Sequence, residues 1–174
     1  MGDTKVKMRH LMAGVATTAA LALLAQGGAL AQAAKGGKKM SAEEARGRYL
    51  AMTAGCNDCH TPGYAPLEGK VEEKLWLTGD MLGWRGPWGT TYPTNIRLYV
   101  QKMSEDEWVK RWRAGGARPP MPWFNLTAMN DRDLRALYRY AKHLGPAGNE
   151  APAYLPPDKA PNPPFVQFPA PPKK

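Results

Sequence analysis

Cys56-Asn57-Asp58-Cys59-His60 contains both cysteines of this chain, three positions apart, with a histidine directly after the second. Thiols at i and i+3 lie on one side of a helical turn. Followed by histidine, that spacing is the attachment pattern of haem c: the two thiols form thioethers to the two vinyl groups of one porphyrin. The next residue then points its imidazole at the iron. Five residues thereby specify one covalently bound haem c, its orientation, and His60 as proximal ligand.

Three other uses of these residues fit less well. An exchangeable dithiol of the thioredoxin kind sits in a strand-helix-strand context, and the chain shows no such alternation. A structural zinc site takes four N or S ligands in a tetrahedron. Past its first thirty residues the chain offers two Cys and two His, and His60 is directly adjacent to Cys59. A disulfide across two intervening residues closes almost no loop and stabilises little.

The N-terminus carries Lys5, Lys7, Arg9 and His10, then an apolar run from Leu11 to Ala25, then the small-x-small sequence Ala29-Leu30-Ala31. This is the pattern of a secretory signal peptide, expected over residues 1–31, with Ala31-Gln32-Ala33 as a nearby alternative cleavage site. An uncleaved membrane anchor is the competing reading, but the run is short and is broken by Thr17, Thr18 and Gln26. Export to the periplasm suits the cysteines, since two are too few for a disulfide scaffold.

The chain has 174 residues and a formal net charge of +9, which becomes +7 without Asp3, Lys5, Lys7 and Arg9. The length past the leader supports one small domain with extensions. A positive surplus steers acidic protein surfaces, or an anionic membrane surface, toward the chain. Nucleic acid is not an expected partner, because export separates the chain from it and the Lys-rich runs are confined to Lys35–Lys39 and Lys173-Lys174.

Start and stop signals mark three helices. The first opens at Ser41 with Glu44 completing a capping box, and places Ala45, Tyr49 and Met52 on one face before reaching Cys56. A second opens with Ser104 and Glu107, carries Trp108, Val109 and Trp112, and ends at Gly115-Gly116. The third starts near Asn130, carries Leu134, Leu137, Tyr138, Ala141 and Leu144, and stops at Gly145-Pro146. Between Thr61 and Tyr99 the many prolines and glycines read mostly as loop, with Trp76, Trp84 and Trp88 as walls for a porphyrin. The organisation is therefore a signal peptide (1–31), a flexible linker (32–40), a helical domain (41–145) and a Pro-rich tail (146–174). Ten of the tail's twenty-nine residues are proline, which excludes helix and central strand. Such a tail can wrap its own domain, dock on a partner or extend into solvent, and Tyr154, Phe165 and Phe168 favour the first two.

A haem held by His60 alone keeps an iron position open to small gases or peroxide, and a second strong ligand closes it. Met121, within Arg118-Pro119-Pro120-Met121-Pro122-Trp123, is the expected sixth ligand, because prolines on both sides stiffen its loop. Met52, Met81, Met103, Met129 and His143 are its rivals. A thioether stabilises ferrous iron, and an iron closed on both faces is suited to outer-sphere electron transfer. A peroxidase relaying electrons between haems needs a second attachment motif, and the sequence has one.

From Ser41 to Gly145 the order of helix, Cys56-x-x-Cys59-His60, aromatic loop, middle helix, Pro-flanked Met121 and the helix of Asp133-Leu134-x-x-Leu137-Tyr138-x-Tyr140 resembles a class I c-type cytochrome. The resemblance implies an all-α cytochrome c fold of three main helices around one haem, with the tail as an extension. Gly89-Thr90-Thr91-Tyr92-x-x-Asn95-Ile96, the Trp108 helix and Met121-Pro122-Trp123 are similar to the cytochrome subunits of membrane-bound sugar and alcohol dehydrogenases, which carry three haem modules. It further implies that Gly47 lets the first helix approach the third, with Tyr138 or Tyr140 across the crossing. Asn95 and Arg97 become candidate haem-propionate or pocket contacts, beside an ordinary loop hydrogen bond and a surface charge.

The expected function is that of an exported monohaem carrier, not an enzyme, moving single electrons between a dehydrogenase or quinol-oxidising complex and an acceptor. A tightly bound subunit of an oxidoreductase complex and a haem-based gas or redox sensor are the alternatives.

Overall fold

In the computed structural model, which describes residues 39–170, the chain enters through helix α1 (Ala42–Thr53). The Ser41 hydroxyl accepts from the Glu44 amide at 3.2 Å, and the Ser41 amide donates to the Glu44 carboxylate at 2.6 Å. Two orphan donors of the first turn are thereby satisfied. After Thr53 the chain turns at Gly55, whose φ of +73° is a left-handed value that favours glycine, and starts the short helix α2 (Cys56–His60). The expected signal peptide and nearly all of the expected linker lie outside the described residues. Among those described, no helix is long and apolar enough to cross a membrane.

Residues 61–99 hold more regular structure than their composition announces. A 3₁₀ turn (Glu73–Leu75) is followed by strand β1 (Gly83–Gly86), strand β2 (Gly89–Thr91) and the single-turn helix α3 (Ile96–Tyr99). β1 and β2 form an antiparallel hairpin with Trp84 opposite Thr91 and Gly86 opposite Gly89. Such strands are too short to show alternation, and glycines occupy their ends. A second 3₁₀ turn (Val100–Lys102) leads to α4 (Glu105–Arg113), capped by Ser104 and Glu107. Gly115 and Gly116, at φ +69° and +80°, stop that helix. α5 (Trp123–Ala128) precedes α6 (Asp131–Leu144), where Asn130 accepts from the Asp133 amide at 2.8 Å.

The core lies where α1 and α4 pack on α6, with Leu50, Ala51, Trp108, Leu134 and Tyr140 buried. Gly47 is required at the α1–α6 crossing, since a Cβ there would strike the Ala136 backbone and lie 2.7 Å from the Tyr140 Cβ. Tyr140 is the tyrosine at that crossing, and its hydroxyl donates to Glu73 at 2.8 Å. Tyr138 turns toward α4, packs near Trp108 and donates to the Met103 carbonyl. Trp108 in turn donates to the Leu134 carbonyl at 2.9 Å, so the α4–α6 contact carries a hydrogen bond inside its apolar seam.

The Pro-rich tail wraps the domain. Strand β3 (Phe165–Gln167) pairs parallel with β1, giving a three-stranded sheet in the order β2-β1-β3 beside the helices. Upstream, Thr90 and Leu155 exchange both backbone bonds at 2.7 and 3.0 Å. The Arg85 guanidinium donates to the Lys159 carbonyl at 2.6 Å. Proline lacks an amide but keeps a carbonyl, and Pro164 uses its own to accept from Gly83 at 3.0 Å.

Candidate functional site

α2 is pinned at its end. Thr61, extended at φ −128° and ψ 119°, breaks the helix after His60. Its buried hydroxyl donates to the Asn57 side chain at 2.8 Å and accepts from the Leu77 amide at 2.9 Å. The two residues between the cysteines therefore part company: Asn57 is buried against Thr61, whereas Asp58 faces outward. Cys56 and Cys59 are not joined to each other. Burial first, then the nearby Asp58 carboxylate, pushes the Cys56 thiol up to about 12, and Cys59 rises for the same reasons. A thiol so protonated is a poor dithiol-exchange nucleophile.

His60 is fixed by its inner nitrogen. Nδ1 lies 2.7 Å from the Thr94 carbonyl oxygen. A carbonyl only accepts, so Nδ1 carries the proton and Nε2 keeps its lone pair, the tautomer a metal ligand requires. Burial holds the imidazole below its usual basicity, and the Thr94 contact opposes that in part. The neutral form is the one able to coordinate. No group of three or more His, Cys, Asp or Glu side chains able to hold a metal ion occurs among the described residues, so a tetrahedral zinc set is not available there.

Cys56, Cys59, His60 and Met121 all line one cavity of about 590 Å³. That volume falls within the roughly 300–1,000 Å³ typical of cofactor pockets. α2 supplies the cysteines and histidine, α4 supplies Trp108 and Trp112, the hairpin supplies Trp84 and Thr91, and α5 supplies Leu126. Met129 is the one rival ligand that also reaches this cavity. Met52 and Met81 are exposed, and Met103 packs at the core edge. His143 lies between α6 and α1 with its Nδ1 3.3 Å from Glu44.

The walls carry unmet polar groups. Trp84 Nε1, Thr91 Oγ1 and Trp112 Nε1 are buried without a hydrogen-bond partner, and all three residues line the cavity. With no accessible surface of their own, these three atoms face packed protein rather than the open cavity, and each missing bond costs the fold about 1–3 kcal/mol. A haem fits this lining: thiols and an imidazole from α2, a thioether in the same space, and largely apolar walls.

Asn95 and Arg97 do not line the cavity. Asn95 is fully buried, caps α3 by accepting from the Leu98 amide at 3.0 Å, and donates to the Ala147 and Asn149 carbonyls at 2.8 and 3.0 Å. Arg97 donates to the Lys74 and Gly145 carbonyls at 2.6 and 2.5 Å and to that of Leu144. Both side chains thus tie the end of α6 and the start of the tail to the loop region. Of the three loop tryptophans, Trp84 reaches the cavity; Trp76 packs on Tyr64, and Trp88 on Phe168. Sequence reasoning missed Thr91, and Pro152 and Tyr154 of the tail, as wall residues.

No family model matches the chain, and no solved structure does. Among characterised proteins, it is 31% identical over 109 residues to the gluconate 2-dehydrogenase cytochrome c subunit of Pantoea cypripedii, covering 56% of this chain and 22% of that one. It is 30% identical over 118 residues to a nicotinate dehydrogenase subunit of Pseudomonas putida, covering 62% of this chain and 9% of the other. The chain therefore spans about a fifth and about a tenth of the length of these relatives. Both likenesses are to dehydrogenase subunits, and the first is to a cytochrome c subunit.

Proposed function

We propose that this chain is an exported, single-haem c-type cytochrome that moves electrons one at a time from a dehydrogenase to an acceptor. The observation that carries the reading is the convergence of Cys56, Cys59, His60 and Met121 on one cavity, with His60 Nδ1 tied to the Thr94 carbonyl. Cys56 and Cys59 would hold the haem by thioether bonds, and His60 Nε2 and the Met121 sulfur would be the groups that coordinate its iron. Haem supplies one-electron chemistry at its iron. The protein's own residues set the conditions for it.

Thr94 keeps the His60 ring in one orientation and one tautomer, which raises its quality as a donor. Bound to iron, the soft Met121 sulfur would favour the reduced state. Trp84, Trp108 and Leu126 exclude water, and the low dielectric they create disfavours added charge. The likeness to dehydrogenase subunits, one of them a cytochrome c subunit, supports an electron-transfer component rather than an enzyme in its own right.

Similarity to dehydrogenase subunits supports a dehydrogenase as the electron donor. The positive net charge supports acidic docking surfaces on the partners. The fold we assign is that of class I cytochromes c, elaborated by a small sheet, and the location is the periplasm. Mass and absorption spectra of the protein recovered after export test the whole reading. A mass increment of one haem, with low-spin spectra in both oxidation states, is expected. A colourless product with free or mutually bonded thiols overturns it.

A further inference from the structure

Tyr154 belongs to two structures at once. Its hydroxyl donates to the Trp88 carbonyl at 2.7 Å, and its neighbour Leu155 exchanges two backbone bonds with Thr90, so it is anchored on the hairpin. Its ring forms part of the cavity wall. The Arg118 guanidinium sits over that same ring, 4.1 Å from its centroid. Arg118 opens the turn that carries Met121, and its carbonyl accepts from the Met121 amide at 3.3 Å. Pro119 and Pro120 fill the two positions between them, so little slack separates the stacked guanidinium from the thioether.

We infer that the C-terminal tail positions the sixth ligand: Tyr154, anchored on the hairpin, clamps Arg118 and so holds the Met121 loop over the cavity. This rests on the haem reading given above. Tyr154 and Arg118 are positioning residues, since neither coordinates the iron. Phe168 packs on Trp84 of the cavity wall, ring centroids 5.9 Å apart, and on Trp88 at 5.2 Å. One strap of chain therefore packs on a wall tryptophan at one point and restrains the methionine loop at another. A freely hanging proline spacer makes neither contact.

The test is the rate at which the ferrous, haem-loaded, full-length protein binds carbon monoxide, because carbon monoxide enters only when sulfur leaves the iron. That rate scales with the population of the open loop. A guanidinium stacked on a half-buried ring contributes enough that its loss should raise the open population about five-fold. Arg118→Gln and Tyr154→Leu are each expected to bind carbon monoxide about five-fold faster than the unaltered protein. The double variant should be no faster than the faster single one, because both remove one interaction. Tyr154→Phe keeps the ring beneath Arg118 and should stay within about two-fold.

Unchanged rates in Arg118→Gln and Tyr154→Leu, with haem attached, overturn the clamp. Arg118 is exposed, so Arg118→Gln carries the test alone should Tyr154→Leu not accumulate. Absence of haem from the unaltered protein instead overturns the function proposed above, and is seen directly as absence of colour.

Discussion

His60 and Thr94 are joined at 2.7 Å across a gap of thirty-four residues, and the segment that carries Thr94 packs closely on Gly79. The Gly79 amide donates to the His60 carbonyl at 2.8 Å, and a Cβ at Gly79 would lie 2.7 Å from the Asn95 amide and 2.8 Å from the Pro93 carbonyl oxygen. Its φ of +77° is also a left-handed value. Gly79→Ala should therefore displace residues 93–95 and the carbonyl that orients the imidazole. We expect a loss of about 2 kcal/mol of stability by denaturant unfolding, and an altered ferric spectrum where substitutions remote from the site leave it unchanged.

Met121→Ala should abolish the weak sulfur-to-iron absorption at the red end of the ferric spectrum. Haem attachment should persist, since Cys56 and Cys59 are untouched. The reduction potential should fall by on the order of 0.1 V, a modest part of the roughly 0.8 V over which axial ligands tune haem proteins. Met129→Leu is the paired measurement, because Met129 reaches the same cavity. Loss of the band in Met129→Leu, and its retention in Met121→Ala, reverses the assignment.

Gly47→Ala tests the helix crossing independently of the haem. The added methyl meets the Ala136 backbone and the Tyr140 side chain, neither of which can step aside without parting α1 from α6. A destabilisation of about 3 kcal/mol is expected in thermal or denaturant melts. A change smaller than about 0.5 kcal/mol, the range of neutral surface substitutions, contradicts the close approach.

Acid should loosen the α4–α6 contact. Arg139 grips Glu105 through two bonds of 2.9 Å and Arg135 adds one of 3.1 Å. The Arg139 hydrogen bond is the chief reason that the Glu105 carboxyl is held below its usual range, and the Arg135 bond adds to it. A carboxyl depressed on folding adds stability above its unfolded pKa, and that contribution is lost as pH falls through the folded value. Stability should accordingly decline on acidification below about pH 4.5, the ordinary value for a free Glu. Glu105→Gln should be less stable than the unaltered protein at neutral pH and should converge with it in acid. Parallel curves at all pH values would exclude this ion cluster as a contributor.

The helices were the legible part of this fold, and the reason is local. Ser41 with Glu44, Ser104 with Glu107, and Asn130 each mark a helix start within four residues of sequence, and α1, α4 and α6 begin there. β1, β2 and β3 span three or four residues each and owe their existence to pairing with distant chain, as Trp84 with Val166 shows. α5 is equally short and has no side-chain cap. Within the site, the attachment motif is a five-residue signal and reads directly. The unpartnered donors of Trp84, Thr91 and Trp112 do not, because lacking a partner is a property of packing rather than of composition. Asn95 and Arg97 were noticed for their chemistry, and their donors proved committed to backbone carbonyls at the α6–tail junction.

The cavity wall contributed by Tyr154 bears on the order in which this protein matures. Synthesis runs from the N-terminus, so Cys59 is made about 95 residues ahead of Tyr154. Once α6 has been made, only the side supplied by Pro152 and Tyr154 is still to come. The final stretch to arrive then lies down along the hairpin. The last side of the lining is thus the last to be synthesised, by nothing more than position along the chain.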